Sequence, residues 1–179
     1  MHAFRQFIEN YTSIPDPDWK EVELCLRKRS IKKGELILEE GKICRHLYFL
    51  ESGFLRYFLW KDGLDKTKFF TIPPYCFTSQ RSFNFEIPAE ESIEVLEDGV
   101  IWEIKKTDRT RLLKLNSWNT FTRLLVQEVQ FFTEQILIAL QNETAEERYR
   151  KMLSNGDVIL QKAPLKIVAS YLGIAPQSL

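Results

Sequence analysis

Between Ile31 and Lys105 the apolar residues recur at every second position, and this change from the helical spacing on either side constrains the fold more than any other feature. The period predicts strands at residues 35–39, 46–51, 54–60, 66–71, 92–97 and 100–105. Asp62-Gly63 and Asp98-Gly99 fall between strand-like runs, where a two-residue hairpin needs positive φ, so both are expected to be turns. Many short strands with regular turns imply a sandwich or barrel.

The flanks are helical. Phe4, Phe7, Ile8 and Tyr11 lie on one face, Pro15 and Pro17 interrupt the pattern, and Trp19, Val22 and Leu26 resume it. After Lys106 a short helix is expected over 108–115 and a long one over 117–141, with Ser117 as N-cap. At ~1.5 Å per residue the long helix would span about 38 Å. Its apolar residues exceed one stripe: Trp118, Phe121, Leu125, Phe132, Ile136 and Leu140 form one face, and Leu124, Phe131 and Ile138 form another. A helix on a small domain buries only one face, so the other is expected to meet a symmetric partner. Phe121, Leu124, Leu125, Phe131, Phe132 and Ile138 are the candidates for that seam. Thr144-Ala-Glu-Glu147 then has the pattern of a capping box, and Asn155-Gly156 closes the helix it opens.

Residues 164–179 read as the first helix, the turn and the opening of the second helix of a helix-turn-helix. Pro164 suits the first helical position, Ile167, Val168 and Leu172 give the buried stripe, and Gly173 supplies the left-handed turn four residues after the small Ala169. Ala175-Pro176 starts the second helix. Gln177 is the candidate for a base edge, because its amide can pair with adenine, while Ser170, Tyr171 and Ser178 suit phosphates. The 25 basic and 25 acidic residues balance, so any grip on a polyanion must come from a local patch. The sequence stops one turn into the second helix, where arginines would be expected; a native chain that continues past Leu179 into an arginine-rich helix would favour DNA reading, and a stop there would favour an interaction module.

Other chemistries find no support. Cys25, Cys44 and Cys76 are widely spaced and odd in number, which fits neither a disulfide framework nor a metal or cluster ligand set and suits a reducing cytoplasm. With only His2 and His46, a metal-dependent oxygenase on a β-barrel is excluded, and neither a metal nor a cofactor is expected. No run of eighteen apolar residues, nucleophile elbow, P-loop or dinucleotide fingerprint occurs, so neither a membrane span nor an enzyme is expected.

The order of these elements resembles the Crp/Fnr family of bacterial transcription regulators over nearly the whole chain. Lys33-Gly34-Glu35, Glu40-Gly41-Lys42, Leu47-Tyr48-Phe49-Leu50 and Ser52-Gly53-Phe54-Leu55-Arg56 are similar to the glycine-spaced strands of cyclic-nucleotide-binding β-rolls. Ala145-Glu146-Glu147-Arg148-Tyr149 and residues 167–173 are similar to the family's hinge helix and helix-turn-helix. The resemblance implies an α+β fold in three parts. A cyclic-nucleotide-binding-like β-roll (double-stranded β-helix) with N-terminal helices covers 1–115, a long dimerisation helix covers 116–142, and part of a winged helix-turn-helix covers 143–179. It implies duplex DNA, a second copy of the chain and RNA polymerase as partners.

In nucleotide-binding members a Gly-Glu pair holds the ribose and an Arg-Ser pair holds the cyclic phosphate. Aligned back from Trp102-Glu103-Ile104, those positions fall on Thr78-Ser79 and Ala89-Glu90, so both anchors are missing and cyclic AMP is not expected to bind. The tentative effector pocket comprises Phe77, Thr78, Ser79, Arg81, Phe83, Ala89 and Glu90. Its aromatic lining and its carboxylates favour a small neutral or hydrophobic effector or simple core filling. The alternative to a regulator is a dimeric ligand-sensing or protein-interaction module with a degenerate DNA-binding end.

Overall fold

A computed structural model describes residues 2–178. Helices α1 (Ala3–Glu9) and α2 (Asp16–Glu23) lead into six strands: β1 (Arg27–Ile31), β2 (Leu36–Leu38), β3 (His46–Lys61), β4 (Leu64–Thr71), β5 (Tyr75–Phe77) and β6 (Ser92–Lys105). Helix α3 (Gln80–Phe85) lies between the last two strands. A short 3-10 turn and α4 (Arg109–Leu112) precede the long α5 (Asn116–Asn142), and α6 (Ala145–Ser154), α7 (Val158–Lys162) and α8 (Leu165–Leu172) follow.

The strands form one antiparallel sheet in the order β1-β6-β3-β4, with β2 on β6 and β5 on β3. It rolls because β3 and β6 are long enough to serve both layers. One end of β3 pairs with β5 and the other with β4, while β6 pairs first with β2 and then with β1. Register shifts between Leu50 and Leu55 bend the central pair where the partners change.

This corrects two expectations. The runs 46–51 and 54–60 are a single strand, and so are 92–97 and 100–105, because Asp98-Gly99 is not a hairpin. Glycine is needed at 99 for closeness: a Cβ there would overlap the carbonyl oxygen of Ser52 across the bend. Asp62-Gly63 is the hairpin expected, with φ of 56° and 75°, positive at both central residues as a type I′ turn requires. β1 and β5 escape the period because β1 carries four polar residues in succession on an edge and β5 has only three residues.

Three apolar clusters hold the molecule together. The outer one joins α1, α2 and the start of α5 to the back of the sheet through Phe4, Phe7, Trp19, Phe49, Trp118 and Phe121. The second fills the roll, with Tyr48, Leu50, Leu55, Tyr57, Phe77 and Ile93. The third packs α6 to α8 on the far end of β3 and β6, where Met152, Val168 and Leu172 meet Phe54 and Leu96.

The helix ends follow local chemistry only in part. Thr144 forms the expected capping box with Glu147, and Gly173 closes α8 at φ 76°. Ser117 does not cap α5; Leu115 occupies that position, and the Ser117 hydroxyl donates to Asp18 at 2.5 Å. Pro164 is the N-cap of α8 rather than its first residue.

Candidate functional site

The segment from Phe77 to Glu91, containing the tentative pocket, is held by its own polar groups. The Ser82 hydroxyl donates to Ile87 O at 2.6 Å and accepts from Cys44 N at 2.8 Å, fixing α3 against the loop before β3. Glu86 ends α3 in the left-handed conformation at φ 57°. Gly41 and Lys42 exchange backbone bonds with Ala89 at 2.8 Å each. The Thr78 hydroxyl donates to His46 O at 2.9 Å.

Inside the roll, aromatic rings occupy the space beside this segment. Tyr57 is fully buried, its ring centre 4.2 Å from that of Phe69, and its hydroxyl donates to Thr78 O at 3.2 Å. Burial pushes its phenol well above the ordinary value, so Tyr57 stays neutral. Tyr48 stacks on Phe77 at 4.8 Å. Phe77 and Ala89 are buried, Phe83 packs against the same cluster, and Ser79 is buried with its hydroxyl on Glu91 at 2.6 Å. Lys68 pairs with that carboxylate at 3.1 Å. Arg81 points outward, exposed and paired with the exposed Glu90. The structure therefore gathers Phe77, Thr78, Ser79, Phe83 and Ala89 but leaves Arg81 and Glu90 on the surface. The hydroxyls that could face an anion are already committed, and the two nearest carboxylates repel one.

The C-terminal helices dock on this domain through the β4 edge. The Ser170 hydroxyl donates to Asp65 O and accepts from Thr67 N, both at 2.9 Å, so one side chain satisfies two backbone groups of an edge strand. Tyr171 meets Phe70 edge-on at 5.3 Å, Lys162 pairs with Glu97 at 2.6 Å, and Arg148 donates to Leu172 O at 2.8 Å. Beneath the edge lies a charge network that pattern reading missed. Arg56, 5 % exposed, reaches Glu94 at 2.6 Å, Asp65 at 2.8 Å and Thr67 at 3.2 Å, with its guanidinium 4.5 Å from the Phe58 ring centre. The signal was present, since Arg56 is the one charge in the apolar run 54–60.

Ser170 and Tyr171 thus face the roll, not an open surface, which corrects their assignment to phosphates in this arrangement. Gln177 is exposed on the 3-10 turn Pro176–Ser178. The side chain of Ser178 and residue 179 lie outside the described set.

The long helix divides. Trp118, Phe121 and Leu125 are buried in the chain's own core, so Phe121 and Leu125 cannot form a seam with another copy. Leu124 is half-buried. Phe131, Phe132 and Ile138 are 65 %, 56 % and 50 % exposed, and Val126, Leu137 and Leu140 are exposed beside them. Between the two stretches Glu128 accepts from Tyr11 and Tyr75, both at 2.9 Å, tying α5 to the turn after α1 and to the start of β5. No helix among the described residues is long and apolar enough to cross a membrane.

Residues 28–116 match the family model of the cyclic nucleotide-binding domain. No curated protein sequence matches the chain. Among solved structures, a "transcriptional regulator of the crp/fnr family" from Eubacterium rectale shares 19 % identity at a TM-score of 0.73, over 94 % of this chain and 83 % of that one. The Thermus thermophilus catabolite activator protein shares 18 % identity at 0.61, over 94 % and 81 %. FixK2 from Bradyrhizobium japonicum shares 19 % at 0.68, over 86 % and 80 %. At these identities the likeness is one of fold.

Proposed function

We propose that this chain is a homodimeric, DNA-binding transcription regulator of the Crp/Fnr type, active in the cytoplasm, whose β-roll does not use cyclic AMP as its effector. The observation that carries the reading is the second half of α5. Six large apolar side chains stand in solvent on one helix that follows a cyclic nucleotide-binding fold and precedes three small helices. Exposed apolar surface of that extent calls for a partner, and a second copy supplies a symmetric one. Two copies would present their C-terminal turns, with Gln177 foremost, to successive major grooves about 34 Å apart. RNA polymerase would then be the further partner.

The filled roll supports the effector half of the proposal. Thr78, Ser79, Ala89 and Glu90 stand at the family's anchor positions, and their polar groups are occupied or face outward. A small neutral effector would have to enter by displacing Tyr48, Phe77 or Phe83. Mobility shift on the chain's own promoter, across a salt series and against random duplex, tests the DNA reading. The expected result is sequence preference with affinity falling steeply as salt rises.

A second reading has its own observation. Ser170 and Tyr171 are spent on docking α8 to the roll, which favours a dimeric ligand-sensing or interaction module. The absence of any preference over random duplex, with cell extract present to supply an effector, would decide for it.

A further inference from the structure

A cationic groove lies on the flank of the roll, and no residue of the Phe77–Glu91 segment lines it. It is bounded by β1, by the C-terminal end of β6, and by the loop joining β2 to β3, and it encloses about 750 Å³. That is within the roughly 300–1,000 Å³ of small-molecule sites. Arg27, Lys28, Lys42, Arg45 and Lys105 border it, and none of the five forms an ion pair among the described residues. Lys28 is the one with another engagement, 5.3 Å from the Trp102 ring centre. Only two carboxylates lie along the groove, Glu39 and Glu103, and Glu103 is already bound by Arg29 at 2.9 Å. In a chain whose charges balance overall, this concentration of unpaired cations in one concavity is a local feature of the fold.

The backbone register produces it. Arg27 stands opposite Glu103 on the β1–β6 pair, and His46 opposite Lys105 on the β3–β6 pair. Lys42 and Arg45 come over the top on the loop that α3 and Ala89 hold in place. Tyr48 lies at the floor. It is only 4 % exposed, yet its hydroxyl makes no hydrogen bond with any described residue and keeps contact with solvent. A solvent-touching hydroxyl with no protein partner is free to donate to whatever enters the groove. Burial lowers the His46 imidazole below its ordinary value; Glu103 opposes this, and Lys105, Arg27 and Arg29 add to it.

We propose that this groove binds a small ligand bearing several closely spaced phosphates, with Arg27, Arg45 and Lys105 pairing the charges and the Tyr48 hydroxyl donating at the floor. Two arginines and a lysine converging on one concavity match clustered phosphate oxygens better than a single carboxylate. A flat acidic protein surface or a DNA backbone would engage the rim and leave Tyr48 without a partner. The site does not depend on the DNA-binding reading, since it lies wholly within residues 27–105.

Calorimetry of the whole chain with tripolyphosphate at ~150 mM salt tests the proposal. Saturable binding, about tenfold tighter than sulfate, is expected. Arg45→Ala and Lys105→Ala should each weaken it by about tenfold. Tyr48→Phe keeps the ring stacked on Phe77 and should weaken it several-fold at an unchanged melting temperature, while Arg81→Ala should leave it unaltered. Absence of saturable heat, indifference to Arg45→Ala and Lys105→Ala, or loss on Arg81→Ala would overturn the site. So would tighter binding of an acidic peptide or of duplex DNA through the same side chains.

Discussion

The two halves of α5 have similar apolar content and opposite fates. Trp118, Phe121 and Leu125 are taken up by Phe4, Phe7 and the back of the sheet; from Val126 to Leu140 six large side chains stand in water. What differs is whether the N-terminal helices reach that stretch, and Glu128, gripped by Tyr11 and Tyr75, marks where their reach ends. Surplus apolar residues on a helix therefore announce that cover is needed without saying whether it comes from the same chain. The proposed dimer rests on the uncovered half alone.

Cutting into the covered half should do the most damage. Phe121→Ala deletes a fully buried ring that packs on Phe4, Phe7 and Trp118, and is expected to cost about 3–5 kcal/mol in urea unfolding. If the loss is under 1 kcal/mol, on the scale of a surface substitution, the two halves are not as different as their burial implies. Phe131→Glu is the converse experiment. In a dimer it would bury an unpaired charge, so sedimentation equilibrium at micromolar protein should show monomers, whereas the folded monomer should lose no more than about 0.5 kcal/mol. A wild-type chain that sediments as a monomer would remove the role given to the exposed half.

The junction should yield a smaller effect. Glu128→Ala removes the acceptor shared by two tyrosine hydroxyls, and a loss of about 1–2 kcal/mol is expected. Glu128→Gln, which can still accept a bond, should retain part of it. The smallest effect is one of pH. Burial first and the bonds to Glu128 second raise both the Tyr11 and Tyr75 phenols above their ordinary value. A raised phenol gives stability that is complete below about pH 10, the unfolded value, and is lost as pH climbs toward the folded one. Ultraviolet titration should find both tyrosines late, and Glu128→Ala should bring them back part of the way while the burial contribution remains.

Much of the local structure was legible in the sequence because its causes are local. The Asp62-Gly63 turn needs two residues that tolerate positive φ, Thr144 and Glu147 satisfy each other's helix end, and Gly173 stops α8 because it alone adopts the left-handed conformation freely. The period of two between Ile31 and Lys105 was enough to imply a sandwich or barrel of short strands, and the resemblance to the Crp/Fnr family narrowed this to a β-roll. Where reading failed, the deciding contact came from far along the chain. Gly99 resembled a turn residue, but its lack of a side chain serves a close approach to Ser52. Ser117 resembled a cap, but Asp18 claims its hydroxyl.

The candidate site divides in the same way. The sequence by itself determined that Thr78-Ser79 and Ala89-Glu90 offer no arginine to an anion, because residue identity alone says which groups can pair with one. Only the tertiary structure decided that Tyr57 and its neighbours fill the roll, that Arg81 faces outward to Glu90, and that Ser170 is spent on the edge of β4. It also decided that Arg27, Arg45 and Lys105, separated by up to 78 positions, border one groove. The reason is that turns and caps are settled among neighbours in the chain, whereas the partner of a polar side chain is whichever group the fold brings within hydrogen-bonding distance.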